Sequence, residues 1–309
     1  MAIMLKESPM KCIRSVEDWL ENPLVGDSPP GKVKAVLVGP PCHFAITDVR
    51  NAHMEGQIGS IDIEIAMDQW NRFCTSIRDI GLDVLEIDPA PEQVDAVFTA
   101  NPSLSTSDRS GRPRVILGRM NHPNRIPESE FHRSAFENYG IVCEELPAAI
   151  TSWEGNGDTL RDLERPLLWC GVGPRSEIEG HLAAGEILQL DIALLKLSDP
   201  RYYHLDTALA LLDGSTAAFV KEAFTEEGLH LLSAAFERLI EVDSAEAEGR
   251  LAGNMWCPDG KHVFITSGTP ITSRRLEAAG FHPRELDTGE FLKSGGSVFC
   301  MRQEIRNAR

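Results

Sequence analysis

The chain has 309 residues and a formal net charge of -17 at pH 7. That length buries one large core or two modest ones, and that charge disfavours nucleic acid and anionic membrane surfaces as partners. No run of about eighteen apolar residues occurs, so a membrane-spanning helix is not expected.

The opening Met1-Ala2-Ile3-Met4-Leu5-Lys6 holds too short an apolar stretch, and no cleavage pattern, for a signal peptide. Residues 1–32 read as an N-terminal arm, with a short helix over 15–20 followed by the turn-rich Gly26-Asp27-Ser28-Pro29-Pro30-Gly31. A strand over 34–38 opens the globular part and stops at Gly39-Pro40-Pro41. Ile65, Trp70, Phe73, Ile77 and Ile80 are expected on one face of a helix ending at Gly81. Residues 84–87, 96–98 and 115–117 read as strands, and 130–138 as a helix stopped by Gly140. Strands follow over 141–143 and 167–170. Residues 209–211 and 217–220 flank Asp213-Gly214, a hairpin signal. Leu229, Leu232, Phe236, Leu239 and Ile240 mark a further helix; 262–265 reads as a strand, and a short helix ends at Gly280. Small hairpins alternating with single helices predict an α/β fold of repeated modules, with no linker dividing residues 33–309.

Seven scattered cysteines without a Cys-x-x-Cys pair argue against a disulfide framework, and the cytosol is the expected compartment. Nine histidines show no zinc-site spacing, so neither metal nor cofactor is expected. Three stretches bring reactive side chains together with glycines and turn residues. The first is Trp153-Glu154-Gly155-Asn156-Gly157-Asp158, whose glycines permit tight turns and close approach. In the second, Tyr202-Tyr203-His204-Leu205-Asp206-Thr207, an extended strand places His204 and Asp206 on one face. The third is Gly295-Gly296-Ser297-Val298-Phe299-Cys300, a thiol at the end of a glycine-rich segment. Cys12, Cys42, Cys74, Cys143, Cys170 and Cys257 read instead as small buried hydrophobes. A thiol, an imidazole and carboxylates are the ingredients of an activated cysteine nucleophile.

Further motifs lie between these stretches. They are Pro41-Cys42-His43-Phe44, Asn51-Ala52-His53-Met54, the run from Asp95 through Val97-Phe98-Thr99-Ala100 to Asn101, His122-Pro123-Asn124-Arg125 and Gly173-Pro174-Arg175-Ser176. Taken in order, the set resembles the guanidino-group-modifying superfamily, the pentein or five-bladed α/β propeller fold. The bacterial arginine dihydrolases are the nearest in pattern; arginine deiminase, dimethylarginine dimethylaminohydrolase and the amidinotransferases are similar. The chain departs from the pattern at Trp153, at Arg50-Asn51-Ala52-His53 and at Val298-Phe299.

The resemblance implies one catalytic pentein domain over 33–309, with ββαβ modules repeated around a central pocket. It implies Cys300 as nucleophile and His204 as general acid/base, with Glu154 and Asp206 facing the guanidinium. Arg125 and Arg175 would hold the substrate carboxylate. Asn51 would line the same pocket, and Asp158 would bind substrate or hold its loop. Asn101 stands where similar deiminases carry aspartate; an amide, unlike a carboxylate, can donate to the oxygen of a neutral ureido intermediate. The implied reaction hydrolyses the guanidino group of free arginine through a covalent thiouronium to ornithine, ammonia and carbon dioxide. An amidinotransferase, or a deiminase or modified-arginine hydrolase stopping at the ureido product, would use the same residues. A catalytically silent pentein serving as a binding module is the rival from another class. The expected partner is a small guanidino compound, and a homo-oligomer is compatible with the sequence.

Overall fold

Asp62 opens the longest helix among the described residues: its carboxylate accepts from the backbone N–H groups of Glu64 and Ile65, and Ile63–Arg78 follows. The computed structural model describes residues 10–21, 23, 24 and 26–307; the opening Met1-Ala2-Ile3-Met4-Leu5-Lys6 lies outside them. The helix buries Ala66, Gln69, Trp70, Phe73, Cys74 and Ile77. Ile65, expected on that face, is 47% exposed. Five residues before Trp70, it sits about 140° around the helix axis from it. Ile80 falls beyond the last helical turn.

The described strands form five separate sheets. Three share one plan, an antiparallel pair whose second strand is followed by a helix and a parallel third strand. Ser103–Ser107, Pro113–Leu117 and Cys143–Glu145 are joined by helix Glu128–Asn138. Thr159–Arg161, Leu167–Val172 and Asp191–Lys196 are joined by helix Ile178–Leu188. Leu209–Leu211, Thr216–Phe219 and Arg238–Glu241 are joined by helix Glu226–Ala235. A fourth sheet keeps only the parallel pair His262–Thr266 and His282–Leu286, linked by helix Pro270–Ala278. In the fifth, Val33–Val38 runs parallel to Asp83–Glu86, and the antiparallel partner is Gln303–Arg306 from the far end of the chain. Cys12–Ile13 adds a parallel strand beside Ile192 and Ala193.

Several expectations shift. Residues 96–98 form consecutive turns rather than a strand: Ala96 N–H donates to Gln93 O and Phe98 N–H to Asp95 O. Leu239 and Ile240 leave the helix, which ends at Ala235, and pair with Ala217 and Ala218 in the sheet. The strand expected over 141–143 is Cys143–Glu145, because Cys143 is the residue that registers with Val115; Val142 is 75% exposed. His204 and Asp206 do not share a strand, since Leu205–Thr207 closes a 3-10 turn after the extended His204. Cys42 is exposed and Cys12 half-buried, so neither is a core hydrophobe. Among the described residues no helix is long and apolar enough to cross a membrane.

Candidate active site

Gly155 sets the position of Glu154. Its φ is +43°, and a Cβ there would fall 2.4 Å from Ser103 O, so a side chain is excluded on two counts. Behind it Trp153 is buried, its indole N–H donating to His181 Nδ1 over 3.1 Å. The Glu154 carboxylate is fully buried. Its Oε1 accepts from the Asn121 N–H (3.2 Å), and its Oε2 meets His204 Nε2 at 2.8 Å and Arg175 Nη1 at 3.4 Å. Asp158 faces the other way. Its Oδ2 accepts from Ser176 Oγ (2.6 Å) and its Oδ1 from the Leu205 N–H (3.1 Å), which pins the turn bearing His204 and Asp206. Ser176 Oγ in turn accepts from the Glu154 N–H at 2.9 Å.

Cys300 is held by two neighbours. Its thiol donates to Asp206 Oδ2 at 3.2 Å. Asn254, which no sequence motif marks, donates from Nδ2 to the sulfur (3.1 Å) and to Asp206 O (3.0 Å). The Asn254 Oδ1 accepts from the backbone N–H groups of Ser297, Phe299 and Cys300 at 3.1, 3.1 and 3.2 Å. One amide therefore fixes both the turn and the thiol. Its only sequence signal is Gly253-Asn254 between two regular elements. Asp206 Oδ1 is buried with no hydrogen-bond partner.

A cleft of about 350 Å³ brings these parts together; Arg50, Asn51, Asp95, Phe98, Asn101, Arg125, Arg175, Tyr203, His204 and Cys300 all face it. Asp158 does not line it, and Asp206 lies behind the thiol. A separate cavity of about 470 Å³, bounded by Asn156, Trp256, Phe299 and Arg302 among others, contains none of Cys300, His204 and Glu154. Asn101 sits between two partners: its Oδ1 accepts from Arg125 Nη1 at 3.0 Å, and its Nδ2 lies 3.4 Å from His204 Nδ1. Gly157 makes room for it, since a Cβ there would stand 2.3 Å from Asn101 Nδ2. Arg125 is built into the wall. Its fork grips Glu128 and its Nη2 also reaches Phe98 O. Arg175 stacks on Tyr203, its guanidinium carbon 4.9 Å from the ring centroid. Asn51 donates to Ser294 O (3.1 Å) and so ties its loop to the segment preceding the nucleophile.

The electrostatics follow from this packing. Burial alone would raise the Glu154 carboxyl, but His204, then Arg175 and Arg125, bring it down to about 2. Burial opposes the His204 imidazolium, yet Asp158 and Glu154 raise its pKa above the ordinary value. Burial lifts Asp206 to about 6. Burial, reinforced by Asp206, pushes the Cys300 thiol well above its ordinary value. Both effects favour the protonated thiol over the thiolate. The His204 Nε2 is engaged with Glu154.

A model of the N,N dimethylarginine dimethylhydrolase family, eukaryotic, matches residues 42–307. The chain belongs to this family. The dimethylarginine dimethylaminohydrolase of Mycobacterium tuberculosis is 34% identical over 89% of the chain and 86% of its own length. The bifunctional arginine dihydrolase/ornithine cyclodeaminase ArgZ of a Synechocystis species is 32% identical over 87% of the chain, which spans only 37% of ArgZ. The substrate-bound crystal structure of the ArgZ N-terminal domain, a cyanobacterial arginine dihydrolase, superposes with a TM-score of 0.82 at 30% identity, covering 88% of this chain and 98% of that domain. The mixed α/β fold implied by the motifs is thus the fold of the family.

Proposed function

We propose that the chain hydrolyses the guanidino group of free arginine and carries the reaction through to ornithine, ammonia and carbon dioxide. The observation that carries this is the meeting of Cys300, His204 and Asn101 in one cleft, with Glu154 on the imidazole. A guanidinium is cationic and weakly electrophilic. It replaces the missing partner of Asp206 Oδ1 and brings its charge beside the sulfur, which favours the thiolate. The thiolate adds to the guanidinium carbon, and His204, whose imidazolium Asp158 and Glu154 favour, gives its proton to the departing nitrogen. Ammonia leaves, a thiouronium remains, and water activated by His204 converts it to the ureido compound.

The Asn101 amide supports a second round. Its N–H can hold the ureido oxygen while Cys300 attacks again, releasing ornithine and leaving a carbamoyl thioester that water cleaves to ammonia and carbon dioxide. Cys300, His204 and Glu154 are the proposed catalytic residues. Asp206, Asn101, Arg175, Arg125 and Asn51 shape the substrate site, and Asp158 holds its loop. Five sheets, each with a helix-linked parallel pair, fit a five-bladed propeller over 33–309 with residues 1–32 as an arm. Seven free thiols suit a reducing cytoplasm.

Mass analysis of products from arginine and from dimethylarginine, with Cys300→Ser as control, tests the reading. Ornithine from arginine supports it. Citrulline as sole product leaves a one-round hydrolase, and ornithine formed without ammonia, and only when an amine acceptor is added, points to an amidinotransferase.

A further inference from the structure

Arg50 stands in the wall of the cleft at a position where the chain departs from the resemblance. Its side chain is 7% exposed. Nη1 pairs with Asp95 Oδ2, and Nε lies 3.3 Å from Asp48 Oδ1. Nη2 is buried with no hydrogen-bond partner. The Arg50 carbonyl meanwhile accepts from Arg175 Nη2 at 3.1 Å, so the two cations are mechanically joined.

The three arginines of the cleft are not equivalent. Every guanidinium nitrogen of Arg125 has an acceptor in Glu128, Asn101 or Phe98. Arg175 divides its two terminal nitrogens between Glu154 and the Arg50 carbonyl. Of the three, Arg50 is the one with a buried terminal nitrogen lacking an acceptor. A buried donor in a cavity wall calls for an anionic or carbonyl oxygen from whatever fills the cavity. The carboxylate that lines the cleft and the one bonded to its imidazole are equally committed. Glu154 is bonded to His204, and buried Asp95 is neutralised by Arg50 itself. A substrate α-ammonium would need a carboxylate of its own, and the two beside Arg50 are engaged, Asp95 by Arg50 and Asp48 by Arg50 and His122.

We propose that Arg50 anchors the carboxylate of the substrate and that its pairing with Asp95 makes an α-amino group dispensable, so the substrate class is the ω-guanidino carboxylic acids, arginine among them. The inference rests on the guanidine-hydrolase reading above. Arg50 is then a specificity-determining residue: it acts on binding rather than on the reacting carbon.

The test compares ammonia release by the full chain from arginine, 5-guanidinopentanoate (no amino group) and agmatine (no carboxylate). The expected kcat/KM for 5-guanidinopentanoate is within about tenfold of arginine, and that for agmatine is lower by roughly a hundredfold or more. Arg50→Met is expected to raise KM for both acids by about thirtyfold with kcat within about threefold, and Arg50→Lys to recover part of the loss. Agmatine cleaved as well as arginine, a loss of about a thousandfold on removing the amino group, or unchanged KM in Arg50→Met overturns the proposal while guanidine hydrolysis stands. No ammonia from any of the three, together with no alkylation of Cys300 by a haloacetamidine, overturns both. The substrate comparison needs no variant, so misfolding of Arg50→Met does not spare the proposal.

Discussion

Asn254 grips Cys300 at both ends of the residue: its Oδ1 accepts the Cys300 backbone N–H at 3.2 Å and its Nδ2 donates to the sulfur at 3.1 Å. The two contacts separate in variants. Asn254→Ala strips an acceptor from three buried N–H groups, a penalty of about 1–3 kcal/mol for each one left unmet. A lowered unfolding midpoint and a loss of turnover are expected together. Asn254→Asp keeps the acceptor but cannot donate to sulfur. It also loses the bond to Asp206 O, so some loss of stability is expected, and its distinguishing signature is a higher pKa for Cys300 alkylation. Alkylation with an unchanged pH profile in Asn254→Asp rules out a role at the sulfur.

Asp206 burdens the resting thiol and yet, in the proposed reaction, offers its unpaired Oδ1 to the guanidinium. Asp206→Asn is therefore expected to lower the Cys300 pKa, so that a neutral alkylating reagent reacts faster near pH 8, while arginine turnover falls by about a hundredfold or more. Slower alkylation of the variant contradicts the geometry.

The Glu154–His204 pair links stability to pH with a fixed sign. His204 has a folded pKa above its ordinary 6.5, so its contribution is full below 6.5 and is lost as pH rises through the folded value. Glu154 drops from an ordinary 4.5 to about 2, so its contribution is full above 4.5 and is lost as pH falls through about 2. The destabilisation caused by Glu154→Gln is expected to be greatest near pH 5.5 and to shrink on either side. Unfolding midpoints of both proteins at about pH 3, 5.5 and 9 measure it. A difference that grows steadily with pH refutes the pairing.

Asn101→Asp replaces a donor by a second acceptor facing His204 Nδ1. The first hydrolysis should survive and the ureido product should be released, so citrulline is expected to exceed ornithine about tenfold or more. Unchanged ornithine output removes the amide from the mechanism.

The parts of the site that could be read from the sequence are those whose chemistry is local. Glu154, His204 and Cys300 each stand in a turn-rich segment, and the structure brings His204 and Cys300 to one cleft with Glu154 bonded to the imidazole. The helix Ile63–Arg78 was legible from the apolar period of Trp70, Phe73 and Ile77, whereas its Asp62 cap was not read. Contacts made across the chain were not legible. Asn254 is a lone amide until the turn holding Ser297, Phe299 and Cys300 folds onto it. Arg125 looked free for a substrate carboxylate because nothing local shows that Glu128, three residues on, closes on its fork. The strand Ser103–Ser107 is buried throughout despite its hydroxyl side chains, so no apolar alternation announces it.

The antiparallel pairing of Gln303–Arg306 with Val33–Val38 joins segments from opposite ends of the polypeptide. The sulfur lies three residues before the later of these strands, whereas the imidazole and its glutamate are made much earlier. During synthesis, which proceeds from the N-terminus, the earlier sheets can fold while the nucleophile is still inside the ribosome. Termination before Gln303 removes the strand that follows the thiol and clasps Val33–Val38, so the seat of the nucleophile is the last part of the site to form.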